Sequence, residues 1–325
     1  MKPFEYVRPT ELNAALAAIA KDPQAKFIAG GTNLIDLMKR HVMMPDRLVD
    51  INRLPLKDIR EEETSIHIGA LALNSVVSED KAVQKNYGLL SQALQAGASA
   101  QLRNMATVGG NLLQRTRCPY FYDTAMPCNK RRPGSGCGAL KGFNRMHAIF
   151  GASEHCIAVN PSDMNVALTA LDAVIHVTGT KGNRDIPIGD FHRLPGDHPE
   201  KDTILEKNEL ITGVSIPRTP LTHMHYLKIR DRASYAFALV SVAAGLQLEG
   251  KTIRQARLAM GGVAHKPWRL KAAEESLIGK PATPESFQQA AKIAMQAARG
   301  YGDNNFKLEL APKTMVEALR IASAG

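Results

Sequence analysis

Cysteine is scarce in this 325-residue sequence: there are four, and no two of them form a Cys-x-x-Cys pair. That absence argues against zinc fingers and ribbons, which are built on tight knuckles, and against a bacterial ferredoxin run. Aromatic residues make up only 5% of the chain. No apolar stretch approaches the ~20 residues needed to span a bilayer, and the mean hydropathy of −0.19 is that of a globular protein. The opening residues, Met1-Lys2-Pro3-Phe4-Glu5-Tyr6, contain no apolar h-region and no twin arginine. The expectation is therefore a chain with no export signal of its own, exported only if attached to a partner that has one. Walker loops, Gly-x-Gly-x-x-Gly fingerprints, Ser-His-Asp sets, carboxylate pairs at helical spacing and internal repeats are all missing, which sets aside the commonest nucleotide-binding and hydrolytic signatures.

Acidic charge is the minority sign, leaving a net charge of +10. Lysines and arginines are scattered, however, and no nucleic-acid motif accompanies them, so the excess reads as a solvated basic surface. Its densest part, Arg115, Arg117, Lys130, Arg131, Arg132, Lys141 and Arg145, surrounds the cysteines. There it is expected to complement an acidic cluster or the acidic face of a partner subunit.

What is present is concentrated. Cys118, Cys128, Cys137 and Cys156 fall in one 39-residue window. Pro119, Pro127, Pro133, Gly134, Gly136 and Gly138 break that window into turns, so it reads as an irregular loop. A long loop without secondary structure is costly to order unless something ties it down, and four thiolates around a metal centre would do so. A [4Fe–4S] cluster is the first reading, with Tyr120, Phe121 and Tyr122 placed to shield it from water. Structural zinc, and unligated or disulfide-bonded cysteines, are the alternatives.

Taken in order, Thr10 can cap a helix carrying Leu12, Ala15, Leu16 and Ile19 on one face. A strand (Lys26-Phe27-Ile28-Ala29), a turn (Gly30-Gly31-Thr32-Asn33), a helix burying Leu34, Leu37 and Met38, and a strand at 47–51 form a unit whose glycines sit where strand meets helix. Free backbone N–H groups at such a junction favour a phosphate, although a tight turn that binds nothing is the plain alternative. Helices are expected over 74–82 and 87–98, and then comes a second glycine turn at Gly109-Gly110-Asn111. Two separated glycine turns suit a ligand with two phosphates. After the cysteines, a helix at 163–171, a hairpin of 173–178 with 183–188, and a strand at 209–216 lead to a boundary at Pro217–Leu221. Antiparallel strands at 226–230, 235–248 and 253–260 then precede helices at 269–278, 284–298 and 311–322, an α+β arrangement. His223 and His225 alternate along a strand and read as an exposed face rather than as metal ligands.

Ala29-Gly30-Gly31-Thr32-Asn33-Leu34, followed by Gln101-Leu102-Arg103-Asn104-Met105-Ala106-Thr107-Val108-Gly109-Gly110-Asn111 and later by Asp231-Arg232-Ala233-Ser234-Tyr235-Ala236 as a strand start, closely resembles the FAD-binding subunit of the xanthine oxidase family of molybdenum hydroxylases, over the whole chain. The resemblance implies an α+β protein. A two-subdomain FAD-binding fold of the vanillyl-alcohol oxidase/PCMH type would span 1–55 and 56–217, and an α+β C-terminal domain with an antiparallel sheet would span 218–325. It further implies that Lys26, Phe27, Ile28, Ala29, Gly30, Gly31, Thr32, Asn33 and Leu34, with Thr107, Gly109, Gly110 and Asn111, hold the FAD diphosphate and ribityl chain by backbone amides. Ser162 and Asp163 would lie near the ribityl chain and flavin, and Ile211 and Lys228 near the isoalloxazine ring.

One departure is informative. The family's gap between the second glycine turn and the Ser-Asp pair is a few residues, whereas here it is about fifty, and the insertion at about 112–160 holds every cysteine. A [4Fe–4S] insertion on the flavin subunit is known in bacterial periplasmic aldehyde oxidoreductase, which residues 111–122 resemble most, and in 4-hydroxybenzoyl-CoA reductase. The resemblance thus implies an electron-transfer subunit with FAD and a [4Fe–4S] cluster on Cys118, Cys128, Cys137 and Cys156. It would work with separate molybdenum and [2Fe–2S] subunits in a heterotrimer that reduces an external acceptor. The compartment implied is the periplasm by co-export, with the cytoplasm as alternative. The alternatives are the β subunit of a 4-hydroxybenzoyl-CoA reductase-like enzyme, a stand-alone flavin oxidase and a zinc-stapled nucleotide-binding protein.

Overall fold

A computed structural model describes residues 1–324. The first layer is a parallel sheet of β1 (Glu5–Val7), β2 (Lys26–Ile28) and β3 (Arg47–Asp50) in the order β1-β3-β2. The strand–helix–strand unit read from the sequence is there: helix Leu34–Lys39 follows β2 and buries Leu37 and Met38. Helix Leu12–Ala20 buries Ala15, Leu16 and Ile19 on the face their spacing defined, but its cap is Glu11 with no side-chain bond, not Thr10.

The second sheet contains β4 (Ile59–Glu61), β5 (Ser65–Gly69), β6 (Val174–Gly179), β7 (Gly182–Pro187) and β8 (Glu209–Pro217), ordered β4-β5-β8-β6-β7 with every neighbouring pair antiparallel. Helices Gly88–Ala96 and Asp163–Ala170 share its core. The helix expected over 74–82 is instead two helices, 74–79 and 81–86, separated by Asp80. The Asp80 backbone is extended, and its carboxylate accepts the amides of Ala82 (2.9 Å) and Val83 (3.0 Å), so the break doubles as an N-cap.

The third sheet is antiparallel: β9 (His223–Ile229), β10 (Val240–Glu249), β11 (Thr252–Gly261) and β12 (Trp268–Arg269), ordered β12-β11-β10-β9. Helices Lys271–Leu277, Pro284–Ala294 and Lys307–Ala324 pack on it, confirming strands and helices in separate runs. The strand expected from Tyr235 begins only at Val240. Tyr235 has φ of +52°, which no strand accommodates, and residues 231–239 form a loop.

Between these layers runs the cysteine insertion. It is irregular as expected, apart from a helical turn at Pro119–Tyr122 and a 3₁₀ turn at Gly138–Leu140. Phe121 is fully buried against Leu37 of the first layer, and Ile149 and Phe150 enter the C-terminal core, where Phe150 stacks on Trp268. Lys130, almost wholly buried, pairs with Asp202 and donates to the Pro199 carbonyl at 2.7 Å. Arg115 reaches the other oxygen of Asp202 at 2.8 Å. Burial works to raise the Asp202 carboxyl, but the charges of Lys130 and Arg115 outweigh it and hold the group well below the usual carboxylate range. On the opposite side, the Lys307 ammonium donates to the carbonyls of His147 (3.0 Å) and Gly262 (2.7 Å).

These pairings give much of the basic patch a role within the chain. Arg117 pairs with Asp36, Arg145 with Asp231, and Arg131 donates to the carbonyls of Tyr120 and Phe121. Four of the seven, Arg115, Arg117, Lys130 and Arg145, are ion-paired inside the chain and fasten the insertion to its neighbours, while Arg131, Arg132 and Lys141 make no ion pair among the described residues.

Two histidines flank the same region. Burial pushes His192 and His265 down from 6.5 to about 4. A folded pKa below the unfolded one means that the unfolded chain binds more protons between those values, so stability is full above pH 6.5 and falls as pH drops toward 4. Each site is worth at most on the order of 3 kcal/mol over that range. The thermal midpoint is expected to fall between pH 7 and pH 5, and His192→Gln to flatten the fall; a slope unchanged in the variant would contradict the assignment.

Candidate functional site

Two adjoining chambers open where the first layer, the second layer and the C-terminal domain meet. The narrower, of about 290 Å³, is lined by all of residues 26–34, by Thr107, Gly109 and Gly110, and by Ile211. The wider, of about 700 Å³, is lined by Thr32, Asn33, Gly110, Asn111, Asp163 and Lys228, among others. Thr32, Asn33 and Gly110 belong to both, so they mark the passage between them. Both volumes are of the size of ligand clefts.

The two glycine segments do different things. Among the described residues, the amides of Gly30, Gly31, Thr32, Asn33 and Leu34 donate to no acceptor of the protein, leaving five successive donors on residues that line the narrow chamber. Gly31 has φ of +71°, the left-handed conformation that glycine adopts at no steric cost, so the chain turns there. Gly30 serves packing: a Cβ there would overlap the carbonyl oxygen of Met105, so the second segment lies directly on the first.

The second segment is not a turn but the start of helix Val108–Leu112, and its amides are occupied. Val108 donates to Ala72, Gly109 to Ala70, Asn111 to the Thr107 carbonyl, and Gly110 to Thr107 Oγ1. Of the amides expected to hold a ligand between Thr107 and Asn111, those of Val108 to Asn111 are therefore already bonded within the protein. The segment's contribution is close approach at Gly110 and the side chains around it.

Ser162 Oγ bonds Asn111 Oδ1 at 2.8 Å and caps helix Asp163–Ala170 through the Asn165 amide at 3.1 Å, tying the two sequence-distant patches together. Asp163 meets Lys228 at 2.8 Å in an ion pair that is over nine-tenths buried. The Tyr226 hydroxyl donates to the other Asp163 oxygen at 2.7 Å and stands 2.9 Å from Ser241 Oγ. Burial, then the Asp163 charge, raises the Tyr226 phenol well above its usual value, so it stays a donor. Of this network Asp163 and Lys228 line the wide chamber, and Lys228 also bonds the Ala96 carbonyl at 3.1 Å. Ile211 and Lys228, expected together near one ring, line different chambers.

Sequence reasoning missed several lining residues. Asn74 contributes a buried Oδ1 without a partner, as Asn33 contributes an unpartnered Nδ2. The 231–239 loop, read as a strand start, brings Arg232, Tyr235 and Phe237 over the wide chamber. The only signal for it was the Asp231-Arg232-Ala233-Ser234-Tyr235 run itself.

All four cysteines line one small cavity, with His147, His155, Tyr120 and Phe121. None is in a disulfide, and the backbones of Cys128 and Cys137 pair in an antiparallel bridge. Burial pushes the Cys118 thiol up to about 12 and Cys156 up to about 11. Ligation of a cation is what would offset the cost of their thiolate forms. Among the described residues, no three His, Cys, Asp or Glu side chains, His223 and His225 included, are grouped to hold a single metal ion. Between the cysteine cavity and the wide chamber lies a third space of about 120 Å³, lined by Cys118, His147, Ser162 and Asp163.

Comparison with known proteins places these features. Residues 2–219 match the family described as the FAD binding domain in molybdopterin dehydrogenase, and residues 225–322 match the CO dehydrogenase flavoprotein C-terminal domain. The chain is 50% identical to the aldehyde oxidoreductase FAD-binding subunit PaoB of Escherichia coli K12, covering 100% of this chain and 99% of that one. It is 29% identical to the glyceraldehyde dehydrogenase medium chain of Sulfolobus acidocaldarius, covering 90% and 88%. A structure of carbon monoxide dehydrogenase from Hydrogenophaga pseudoflava superposes with a TM-score of 0.78 at 28% identity, covering 99% and 98%. With both domains matched and half of its residues shared with a full-length relative, this chain belongs to the FAD-binding subunits of the molybdenum hydroxylases.

Proposed function

We propose that this chain is the FAD and [4Fe–4S] electron-transfer subunit of a multi-subunit molybdenum-containing aldehyde oxidoreductase. The observation that carries the flavin part is the run of five unpartnered amides from Gly30 to Leu34 in a cleft that also holds Asn111, Asp163 and Lys228. Those amides suit a diphosphate, and Ser162, Asn111 and the Asp163–Lys228 pair suit the ribityl chain and ring beyond the passage. The unmet Asn33 Nδ2 and Asn74 Oδ1 are groups a bound dinucleotide would satisfy. FAD takes up two electrons and releases them singly or in pairs, which suits a junction between metal centres and a soluble acceptor.

The donor set of the insertion supports the cluster. Four free cysteines, Cys128 and Cys156 buried and Cys118 and Cys137 half-buried, line one cavity, and a cubane needs one thiolate for each of its irons. The aldehyde oxidoreductase named for the 50% identical relative supports the substrate class. Substrate oxidation is assigned to a molybdenum subunit and relay to a [2Fe–2S] subunit in a heterotrimer, exported to the periplasm by a signal-bearing partner. This chain's own residues orient the flavin, close it from water and fix the cluster loop.

The absorption spectrum of the purified chain distinguishes the readings. Flavin bands on a broad iron–sulfur shoulder are expected; flavin bands alone would leave the cluster without support, and neither feature would leave the whole assignment without it.

A further inference from the structure

Resting on the cluster reading above, we propose that His147 donates an N–H···S hydrogen bond to Cys118 and thereby tunes the reduction potential of the iron–sulfur centre at the corner that faces the flavin cleft. The His147 ring places Nε2 3.1 Å from Cys118 Sγ. Its other nitrogen, Nδ1, is buried and has no partner. A sulfur bound to iron carries no proton, so the bond forms only if the ring proton sits on Nε2, the one position at which it gains an acceptor. The ring is held in place through its own backbone. The His147 carbonyl accepts from Lys307 at 3.0 Å and from Asn304 at 3.4 Å, and Tyr120 packs beside the ring.

The four sulfurs are not equivalent. Cys118 Sγ has the His147 ring nitrogen at 3.1 Å, while the Phe121 amide goes to the Cys118 carbonyl at 3.0 Å. Cys156 accepts from the Ala158 amide at 3.4 Å. Among the described residues, His147 is the only side chain that hydrogen-bonds a cysteine sulfur. Hydrogen bonds to cluster sulfurs favour the more negative, reduced state and so raise its potential. The asymmetry has a direction. Cys118 and His147 line the space of about 120 Å³ that they share with Ser162 and Asp163, whereas Cys128, Cys137 and Cys156 line the cysteine cavity alone. The sulfur that carries the side-chain hydrogen bond is therefore the one on the cleft side, where excess electron density is useful for transfer to or from a flavin.

The test is made in the intact complex, with His147→Leu, which removes the donor, and His147→Gln, which keeps an N–H. Iron content, flavin content and the cluster midpoint by redox titration followed by electron paramagnetic resonance are read in each. The Leu variant is expected to retain four irons and FAD while its cluster midpoint moves negative of wild type. The Gln variant should lie closer to wild type, and the flavin midpoint should not move. An unchanged cluster midpoint in an iron-replete Leu variant would overturn the proposal. If the Leu variant loses iron, the Gln variant decides: iron retained with a near-wild-type midpoint supports the hydrogen bond, and iron lost from both shows a packing role and overturns it. Wild-type complex without iron in this chain would instead remove the cluster reading itself, a result distinct from any behaviour of the variants.

Discussion

Gly110→Asp is expected to abolish FAD binding in a chain that still folds. Gly110 is exposed, lies in a helix and lines both chambers at their junction. A Cβ added there meets only Thr107 Oγ1, at 3.0 Å, so the fold needs to yield by a few tenths of an ångström at one hydroxyl. The carboxylate, however, would project into the passage beside the five free amides from Gly30 to Leu34. There it would take the place of, and repel, an anionic diphosphate. Like charges at such range in a partly desolvated cleft cost several kcal/mol, so affinity should fall by about 100-fold or more. Gly30→Ala should behave in the opposite way. Its Cβ overlaps the Met105 carbonyl, so it should disrupt packing of the first layer on the second before any ligand is considered. Flavin-to-protein ratio after gel filtration, read beside a thermal melt, separates the two. Stoichiometric FAD in folded Gly110→Asp would contradict the placement of the diphosphate.

The second large effect concerns the thiols. Replacing any one of Cys118, Cys128, Cys137 or Cys156 by Ser is expected to give loss of iron or a degraded cluster, because a hard alkoxide matches iron poorly and no spare cysteine exists. FAD binding should survive at least in part, since the amides of 30–34 and the Asp163–Lys228 pair make no hydrogen bond to the insertion's cysteines. Freed of its tie, the stretch from Pro127 to Gly138 should become sensitive to protease, most of all beyond Lys130, which still pairs with Asp202. Undiminished iron in any one of the four variants would remove that residue from the ligand set.

How much of this could be read from the sequence depends on the range of the interaction. The β2–turn–helix–β3 unit was legible because an apolar strand, two glycines and a helical stripe all fall within ~25 residues and each has its own local signature. The hairpin of β6 and β7 was legible for the same reason. Short, exposed strands were not: β1 and β4 have three residues each and show no alternation, and only their partners define them. Asp80 looked like part of a helix because a capping carboxylate and a helical one are the same residue type, distinguished only by the backbone. The second glycine segment looked like a turn because two glycines rarely begin a helix; Thr107 as cap and the contact with Ala70 make it one.

Tertiary pairings were invisible altogether. Nothing near Lys130 announces Asp202, and nothing near Lys228 announces a buried partner at Asp163, so charges that fasten the interior read as a basic surface. The contribution of the 231–239 loop to the cleft was hidden behind the β propensity of Tyr235 and Phe237. The cysteines were legible as a group from their clustering, but the imidazole beside Cys118 was not, since His147 lies 29 residues away among ordinary loop residues.

The measurement that bears most directly on the central claim is the flavin, iron, sulfide and zinc content of the native complex prepared without air. One FAD, and about four irons with matching sulfide beyond those carried by the partner subunits, are expected for each copy of this chain. One zinc and no iron in this chain would contradict the cluster while leaving the flavin cleft standing, and absence of FAD as well would contradict the account as a whole.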